Sequence, residues 1–475
     1  MTFLLLGCEN VNLSSITLSD GELVPAFSQT IKRYTIEVEN QIDSMSINAV
    51  NTNSNALMNI YSNRVLHSGN FDDNIALRPG QNTISITATK GNLVNTTDLE
   101  IKRNSDELEI IKNQLETNLS EVYEQANQNQ RLLAGLNVAI FSPDYGTWSS
   151  STGLNNINAS SQLSTDSSIG VGSITKSFIA ALALKLMEET EYGFSINDSI
   201  TNWISASDLP AENIIDPTLT IKELLNHTSG IRDKLAAGQS VVELIDAILT
   251  SFLPHPNYIV KNYNEPAGEK AFSYANMNYT LVGVVLNKVL QKKNPTDSVS
   301  KALNRYFFKP LNLRHTHLTL EQPPRSLAKG HYFIDGKLIP VPAGIDVLIL
   351  KTGNYAGSLV STAEDMARWM EALFSRDEDG NSVVLSKISL DLMTTDENAS
   401  GYGLGIFISP NAYYHSGSAI ISSASVMYDR NSGESYAVLI NQDDFFNSYS
   451  NGPQAQQLLD NFHAAYNVAK ENLMF

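Results

Sequence analysis

Near residue 104 the spacing of apolar residues changes from a period of two to one of about 3.6, and that change limits the possible folds more than any single motif. Before it, IKRYTIEVEN and QNTISITATKGN alternate apolar and polar residues between Gly-, Pro-, Asn- and Asp-containing breaks, as half-buried strands do. Ile84, Ile86 and Ala88 point one way and Thr83, Ser85 and Thr87 the other. After Arg103, SDELEIIKNQLETNLSEVYEQ sets Leu108, Ile111, Leu115, Leu119 and Val122 at helical spacing. Two units follow, a small all-β unit over 11–103 and a larger one over 104–475. The larger unit opens with that helix and a strand, LNVAIFS, and closes in mirror order with a strand, YAVLINQ, and a helix, PQAQQLLDNFHAAYNVAK. Its middle, from about 174 to 310, reads as largely helical. Terminal helices against an antiparallel sheet, with an inserted helical region, make an α+β architecture.

Composition narrows the partners. The chain has 475 residues, 42% of them hydrophobic and 17% charged, which places it among globular proteins. A formal charge of -18 argues against nucleic acid and anionic membrane surfaces, since both would be repelled. The one cysteine, Cys8, excludes an intrachain disulfide, a cysteine-rich zinc site and a thiol redox pair. It ends MTFLLLGC, which resembles a bacterial lipobox, although no basic residue precedes the short apolar run. Residues 1–10 are therefore expected to be a lipoprotein-signal-like segment with lipid attached at Cys8, which would be the chain's link to a membrane. No other segment is apolar enough for a membrane span.

The chemistry centres on Ser173-Ile-Thr-Lys176 within GVGSITKSFIAALALKLMEE. Ser-x-x-Lys alone is weak, because the same spacing recurs at Ser298 to Lys301 and at Ser326 to Lys329. Context separates the first: Gly170 and Gly172 permit a close approach, and FIAALALKLM is apolar on nearly every face, hence a buried helix. On its first turn Lys176 falls on the same side as Ser173, and a helix N-terminus favours the developing negative charge. A serine hydroxyl needs such a base within reach.

Further motifs carry a resemblance. Tyr274-Ala-Asn276 and His415-Ser-Gly417 follow Ser173-Ile-Thr-Lys176 in order, with LLNHTSGI (224–231) and FSYANMNYTLVG (272–283) between the first and third. Over about 105–470 the chain resembles the penicillin-recognising serine hydrolases: D,D-carboxypeptidases, class C β-lactamases and related esterases. Chain order removes two decoys, Tyr61-Ser-Asn63 and Tyr449-Ser-Asn451. Lys351-Thr-Gly353 rivals His415, but it leads into NYAGSLVSTAEDMARW, which looks like the family's loop and capped helix with Ser361 and Asp365 near its start. No GxSxG pentapeptide is present, against an α/β-hydrolase. Residues 11–103 resemble a cadherin-like β-sandwich, carried by SSITLSDGELVPAFSQTIKRYTIEV and LRPGQNTISITATKGN.

The resemblance implies a β-lactamase/penicillin-binding-protein-like fold and acyl transfer without cofactor or metal. Ser173 would attack a carbonyl, with Lys176 or Tyr274 taking its proton. Asn276 would hold the substrate amide, and the backbone N–H groups of Ser173 and Ser418 would meet the oxyanion. His415, with Ser416 and Gly417 on the same strand, would bind or orient the substrate's far end. Where class C β-lactamases have lysine this chain has histidine, whose ordinary pKa of about 6.5 makes it mostly neutral and its pull on a carboxylate pH-dependent. The expected substrates are a peptidoglycan stem peptide ending in D-Ala-D-Ala, a lactam or an ester. A non-catalytic sensor or adhesin on the same fold is the alternative from a different class. His227 in NHTSG reads as holding a loop, Arg314-His-Thr-His317 lacks the carboxylate or cysteine cluster of a metal site, and GYGLG leads into strand-like IFIS rather than a helix, unlike a nucleotide loop.

Overall fold

The computed structural model describes residues 11–62, 65–68, 74–90, 93–128, 133–205, 218–231, 271–320, 326–334, 337–342, 344–443 and 454–471. The N-terminal strands form two sheets. Leu13–Leu18, Ser44–Asn51 and Asn74–Ala76 make one. In the other, Gly80–Lys90 lies between Leu57–Ser62 and Leu93–Arg103, which in turn pairs in parallel with Arg33–Val38. Tyr34, Ile36, Met45, Ile60, Ile84, Ile86, Leu99 and Ile101 fill the space between them. The alternation read at 83–88 holds on its apolar side, where Ile84, Ile86 and Ala88 are buried. Ser85 is buried too, because its hydroxyl donates to Asp98 at 2.7 Å and needs no water.

The second unit is built on an antiparallel sheet in the order Phe407–Ile408, Ala412–Ser418, Ser423–Asp429, Ser435–Ile440, Gly135–Ser142, Gly146–Asn156. Its first and last long strands are neighbours, so the helices that precede and follow them meet on one face. There Ile111, Leu115 and Leu119 of Asp106–Gln128 pack with Leu459, Phe462 and Tyr466 of Gln454–Glu471 over Leu136, Val138, Ile140, Tyr436, Val438 and Ile440. The opposite face presents Ala139, Ala424, Val426, Ala437 and Leu439 to the helices Thr175–Glu188 and Ala363–Phe374. Both faces are covered, which is why SYAVLI is buried at every position and shows no polar alternation. This is the β-lactamase/penicillin-binding-protein-like fold, preceded by a β-sandwich.

In the helical middle, Ile221–Leu225, Asn276–Lys293 and Val299–Leu303 are helices, while 206–217 and 232–270 lie outside the described residues. The sandwich pairs with the second sheet at Gln81 and Thr147. Arg314 reinforces that joint by donating to Asp98 and Glu100, each at 2.8 Å. No helix among the described residues is long and apolar enough to cross a membrane. Cys8 lies outside the described residues.

Candidate active site

Gly172–Ile174 form a single 3-10 turn, and the helix Thr175–Glu188 follows directly. The sequence placed Ser173 in that helix's first turn; it stands in the tighter turn before it. Ser173 is also no cap, since the N-cap of the helix is Ile174 and there is no side-chain cap bond. Its hydroxyl instead takes a hydrogen bond from Lys176 Nζ at 2.9 Å. Lys176 is completely buried, as its place in an apolar helix requires. An ammonium or amine there would be costly without partners, and it has them: Nζ also donates to Asn276 Oδ1 at 2.8 Å and to the Ala356 carbonyl at 2.9 Å. Lys176 Nζ lies 4.9 Å from the centre of the Tyr274 ring.

Tyr274 and Asn276 sit where a short extended stretch turns into the helix Asn276–Lys293. The stretch is pinned by the loop after helix Ile221–Leu225. Ser273 N–H donates to the His227 carbonyl at 2.8 Å, and Ala275 N–H donates to His227 Nδ1 at 3.2 Å. The His227 ring lies 4.3 Å from that of Tyr274. Burial, then the charges of Lys176 and His415, lower the His227 pKa to about 2, so the ring is neutral.

The strand Ala412–Ser418 closes the third side. Gly417 and Gly172 let it press against the serine turn: a Cβ on Gly417 would meet the Val171 carbonyl oxygen at 2.0 Å and the Ser173 nitrogen at 2.9 Å. One on Gly172, whose φ is +51°, would meet the Ser418 oxygen at 2.5 Å and the Ser418 nitrogen at 2.7 Å. The backbone nitrogens of Ser173 and Ser418 are thereby brought to one place, while the Ser418 hydroxyl donates to Asp443. Ser416 is half-buried beside them.

His415 is 1% exposed, among the rings of Phe407 at 5.1 Å, Tyr402 at 6.0 Å and Tyr274 at 6.3 Å. Its Nδ1 lies 2.6 Å from the Ser416 carbonyl, which can only accept, so the ring proton is on Nδ1. Nε2 then faces Tyr402 Oη, at 3.4 Å, with a lone pair. Burial and the Lys176 charge lower its pKa to about 3, well below the ordinary value from which its pH dependence was expected.

A serine held by a buried lysine, with a Tyr-x-Asn turn and a glycine-bearing strand against it, matches in sequence as well as in shape. A family model described as Beta-lactamase covers residues 115–459, most of the chain. The chain belongs to the β-lactamase family. A second model, described as a cadherin-like β-sandwich domain, covers residues 13–104. Protein flp of Staphylococcus aureus (strain NCTC 8325 / PS 47) is 24% identical over 274 residues, 57% of this chain and 52% of that protein. The chain thus spans about half the length of the curated relatives it matches. Among solved structures, the D-amino acid amidase of Ochrobactrum anthropi SV3 aligns with a TM-score of 0.54 at 20% identity, over 77% of this chain and 100% of the other. A penicillin-binding protein from Bacillus halodurans aligns with a TM-score of 0.54 at 17% identity, over 73% and 99%. These are likenesses of fold.

Within this β-lactamase-family domain the rival motifs lie elsewhere. Lys351 is on the helix Ile345–Thr352, not on a strand, and the segment after it contributes the Ala356 carbonyl that Lys176 binds. Ser298 caps the helix Val299–Leu303 by accepting from Lys301 N–H. Ser326 lies 3.2 Å, oxygen to oxygen, from Ser168. Tyr61 is in the sandwich strand Leu57–Ser62, and Asn63 and Tyr449 to Asn451 lie outside the described residues. His315 donates its backbone N–H to Asp365, and His317 is in the strand His317–Leu318. Three residues of the site went unread. Ala356 acts through a carbonyl, which no side-chain pattern reports. Tyr402 lies within GYGLG and Phe407 two residues after it, and Gly405 of that turn, at φ +74°, would meet the Lys176 carbonyl oxygen at 2.6 Å were it to carry a Cβ. The glycine-rich turn is a packing device against the lysine helix.

Proposed function

We propose that Ser173 is the nucleophile of an acyl-enzyme mechanism and that the domain acts as a D-alanyl-D-alanine carboxypeptidase-like peptidase of the bacterial cell envelope. The observation that carries the reading is the buried Lys176 Nζ against Ser173 Oγ. Lys176, alone or with Tyr274 as a coupled unit, takes the hydroxyl proton as Oγ bonds to the substrate carbonyl carbon. The oxyanion meets the Ser173 and Ser418 N–H groups. The C–N bond then breaks, the returned proton leaves with the amine, and water, deprotonated by the same group, releases the acid and restores Ser173. Asn276 orients the substrate amide while it holds Lys176. The 11–103 and 104–475 units are read as separate domains, the first a spacer or adhesion module, and Cys8 as the site of a lipid anchor.

A second reading, an esterase or amidase acting on substrates with an uncharged far end, is favoured by His415. A neutral, enclosed imidazole whose N–H is spent on its own strand offers no charge to a substrate carboxylate. The deciding experiment is intact-protein mass spectrometry after exposure to benzylpenicillin and, separately, to a fluorophosphonate, in wild type and Ser173→Ala. A Ser173-dependent penicilloyl adduct, followed by D-alanine release from a stem peptide, is the expected result. Labelling by the fluorophosphonate alone would select the esterase reading, and no Ser173-dependent adduct with either would refute both. Fatty-acid analogue labelling lost in Cys8→Ser checks the anchor.

A further inference from the structure

The loop 226–230 carries a fully buried histidine that the acyl-transfer steps do not use. His227 adopts a left-handed backbone, φ 60°, which non-glycine residues hold only where the surroundings insist on it. What insists is the tyrosine stretch. The His227 carbonyl accepts Ser273 N–H, and its Nδ1 accepts Ala275 N–H, so the two residues flanking Tyr274 are both tied to one histidine. Its ring then lies against the Tyr274 ring, 4.3 Å between centres and 35° between planes. Asn278, one turn into the following helix, completes the clasp: its Nδ2 donates to His227 Nδ1 at 3.0 Å and its Oδ1 accepts from the Ser229 hydroxyl at 2.7 Å.

This network fixes the tautomer. A backbone N–H can only donate, so Nδ1 carries the lone pair and Nε2 the proton. Nε2 has no hydrogen-bond partner among the described residues. Protonating the ring would put a hydrogen on Nδ1 against Ala275 N–H and a second charge near Lys176.

We infer that His227 is a positioning residue that sets the Tyr274 phenol against Ser173 and Lys176 by accepting, through Nδ1, the backbone hydrogen next to that tyrosine. It exchanges no proton during turnover. The inference rests on the reading of Ser173 as nucleophile and Tyr274 as part of its proton-transfer unit.

The test is the rate of Ser173 acylation by a fluorophosphonate, measured on the full chain for His227→Ala, His227→Asn and His227→Gln, each alone and with Tyr274→Phe. A misplacement near 1 Å costs about a hundredfold in rate, so His227→Ala should slow labelling about ten- to a hundredfold. In the Tyr274→Phe background the same change should cost less than about twofold, because the phenol it positions is gone. His227→Asn keeps an acceptor at the δ position and a residue tolerant of left-handed backbone, and should recover most of the rate. His227→Gln sets its carbonyl one bond further out and should behave like alanine. Should His227→Ala fail to fold, the contrast between Asn and Gln carries the same decision. Equal losses in both tyrosine backgrounds, or an Asn variant as slow as Gln, would overturn the inference while leaving Ser173 as nucleophile. Wild type that takes no label at Ser173 would overturn the hydrolase reading and this inference with it.

Discussion

Lys176 Nζ lies 2.9 Å from Ser173 Oγ while Asn276 Oδ1 and the Ala356 carbonyl accept its remaining hydrogens. Two of the three acceptors, an amide oxygen and a peptide carbonyl, can only accept. An uncharged Lys176 therefore spends both N–H bonds on them and leaves its lone pair aimed at Ser173. An ammonium places its third N–H on the same line. The proton can pass between Oγ and Nζ without movement of either heavy atom, the preorganisation that general-base catalysis exploits.

Removing either end of that pair should stop the chemistry. Ser173→Ala is expected to lower turnover by up to about 10⁶-fold, as loss of a hydrolase nucleophile does elsewhere. Lys176→Arg should not rescue Lys176→Ala, because a guanidinium keeps its proton and cannot act as base. Pre-steady-state ester hydrolysis measures both, and an active Lys176→Arg would exclude lysine as base.

The decoy serine gives the opposite pattern. Ser298 has the same three-residue spacing to a lysine, yet it caps a helix through Lys301 N–H. Ser298→Ala should cost about 1 kcal/mol of stability and leave the rate of Ser173 labelling unchanged. Thermal unfolding read beside that rate separates the two serines; a rate loss without a stability loss would contradict this assignment.

Gly417→Ala should damage the site without removing any functional group. The added methyl would fall 2.0 Å from the Val171 carbonyl oxygen and 2.9 Å from the Ser173 nitrogen, and both are backbone atoms. Overpacking of this kind costs about 1–3 kcal/mol, and it pushes the strand away from the nitrogen proposed to meet the oxyanion. Acylation should fall more steeply than stability. Normal acylation in a folded Gly417→Ala would remove the strand from the oxyanion site.

The sequence carried the parts of this site that are side chains at short spacing. Ser173 and Lys176 lie one turn apart, and Tyr274 and Asn276 two residues apart, so the positions could be named before any coordinates. The terminal helices against the sheet of the second unit were legible for the same reason, from periodicity at 108–122 and from mirror-ordered ends. What could not be read depends on distant pieces of chain meeting. The Ala356 carbonyl and the bonds from His227 to residues 273–278 join segments far apart in sequence, and the Tyr402 and Phe407 rings reach His415 only through the turn that lays Phe407–Ile408 beside Ala412–Ser418. The state of His415 was missed for a related reason: its type set an ordinary pKa near 6.5, whereas the burial and the Lys176 charge that the fold brings to it set the folded value.

Those surroundings give His415 a definite sign in pH dependence. Its folded pKa is lowered to about 3, against about 6.5 when unfolded. Between these values the unfolded chain binds more protons, so the contribution is full above pH 6.5 and is lost as pH falls toward 3. His227, lowered to about 2, acts in the same direction. Asp365 acts in the other: burial raises its carboxyl to about 6, so its contribution is present below its unfolded value and is lost as pH rises through 6. Comparing wild type with His415→Asn cancels the other two groups. The wild type should be the more stable at pH 7, and the gap in melting temperature should narrow as pH falls from 6.5 to 4.5, because only the wild type loses the histidine's contribution. In activity, kcat/KM between pH 5 and 8 should show no step that His415→Asn removes. A constant gap in melting temperature, or a step near pH 6.5 that vanishes in the variant, would mean that His415 titrates in the open, as a charge available to the substrate.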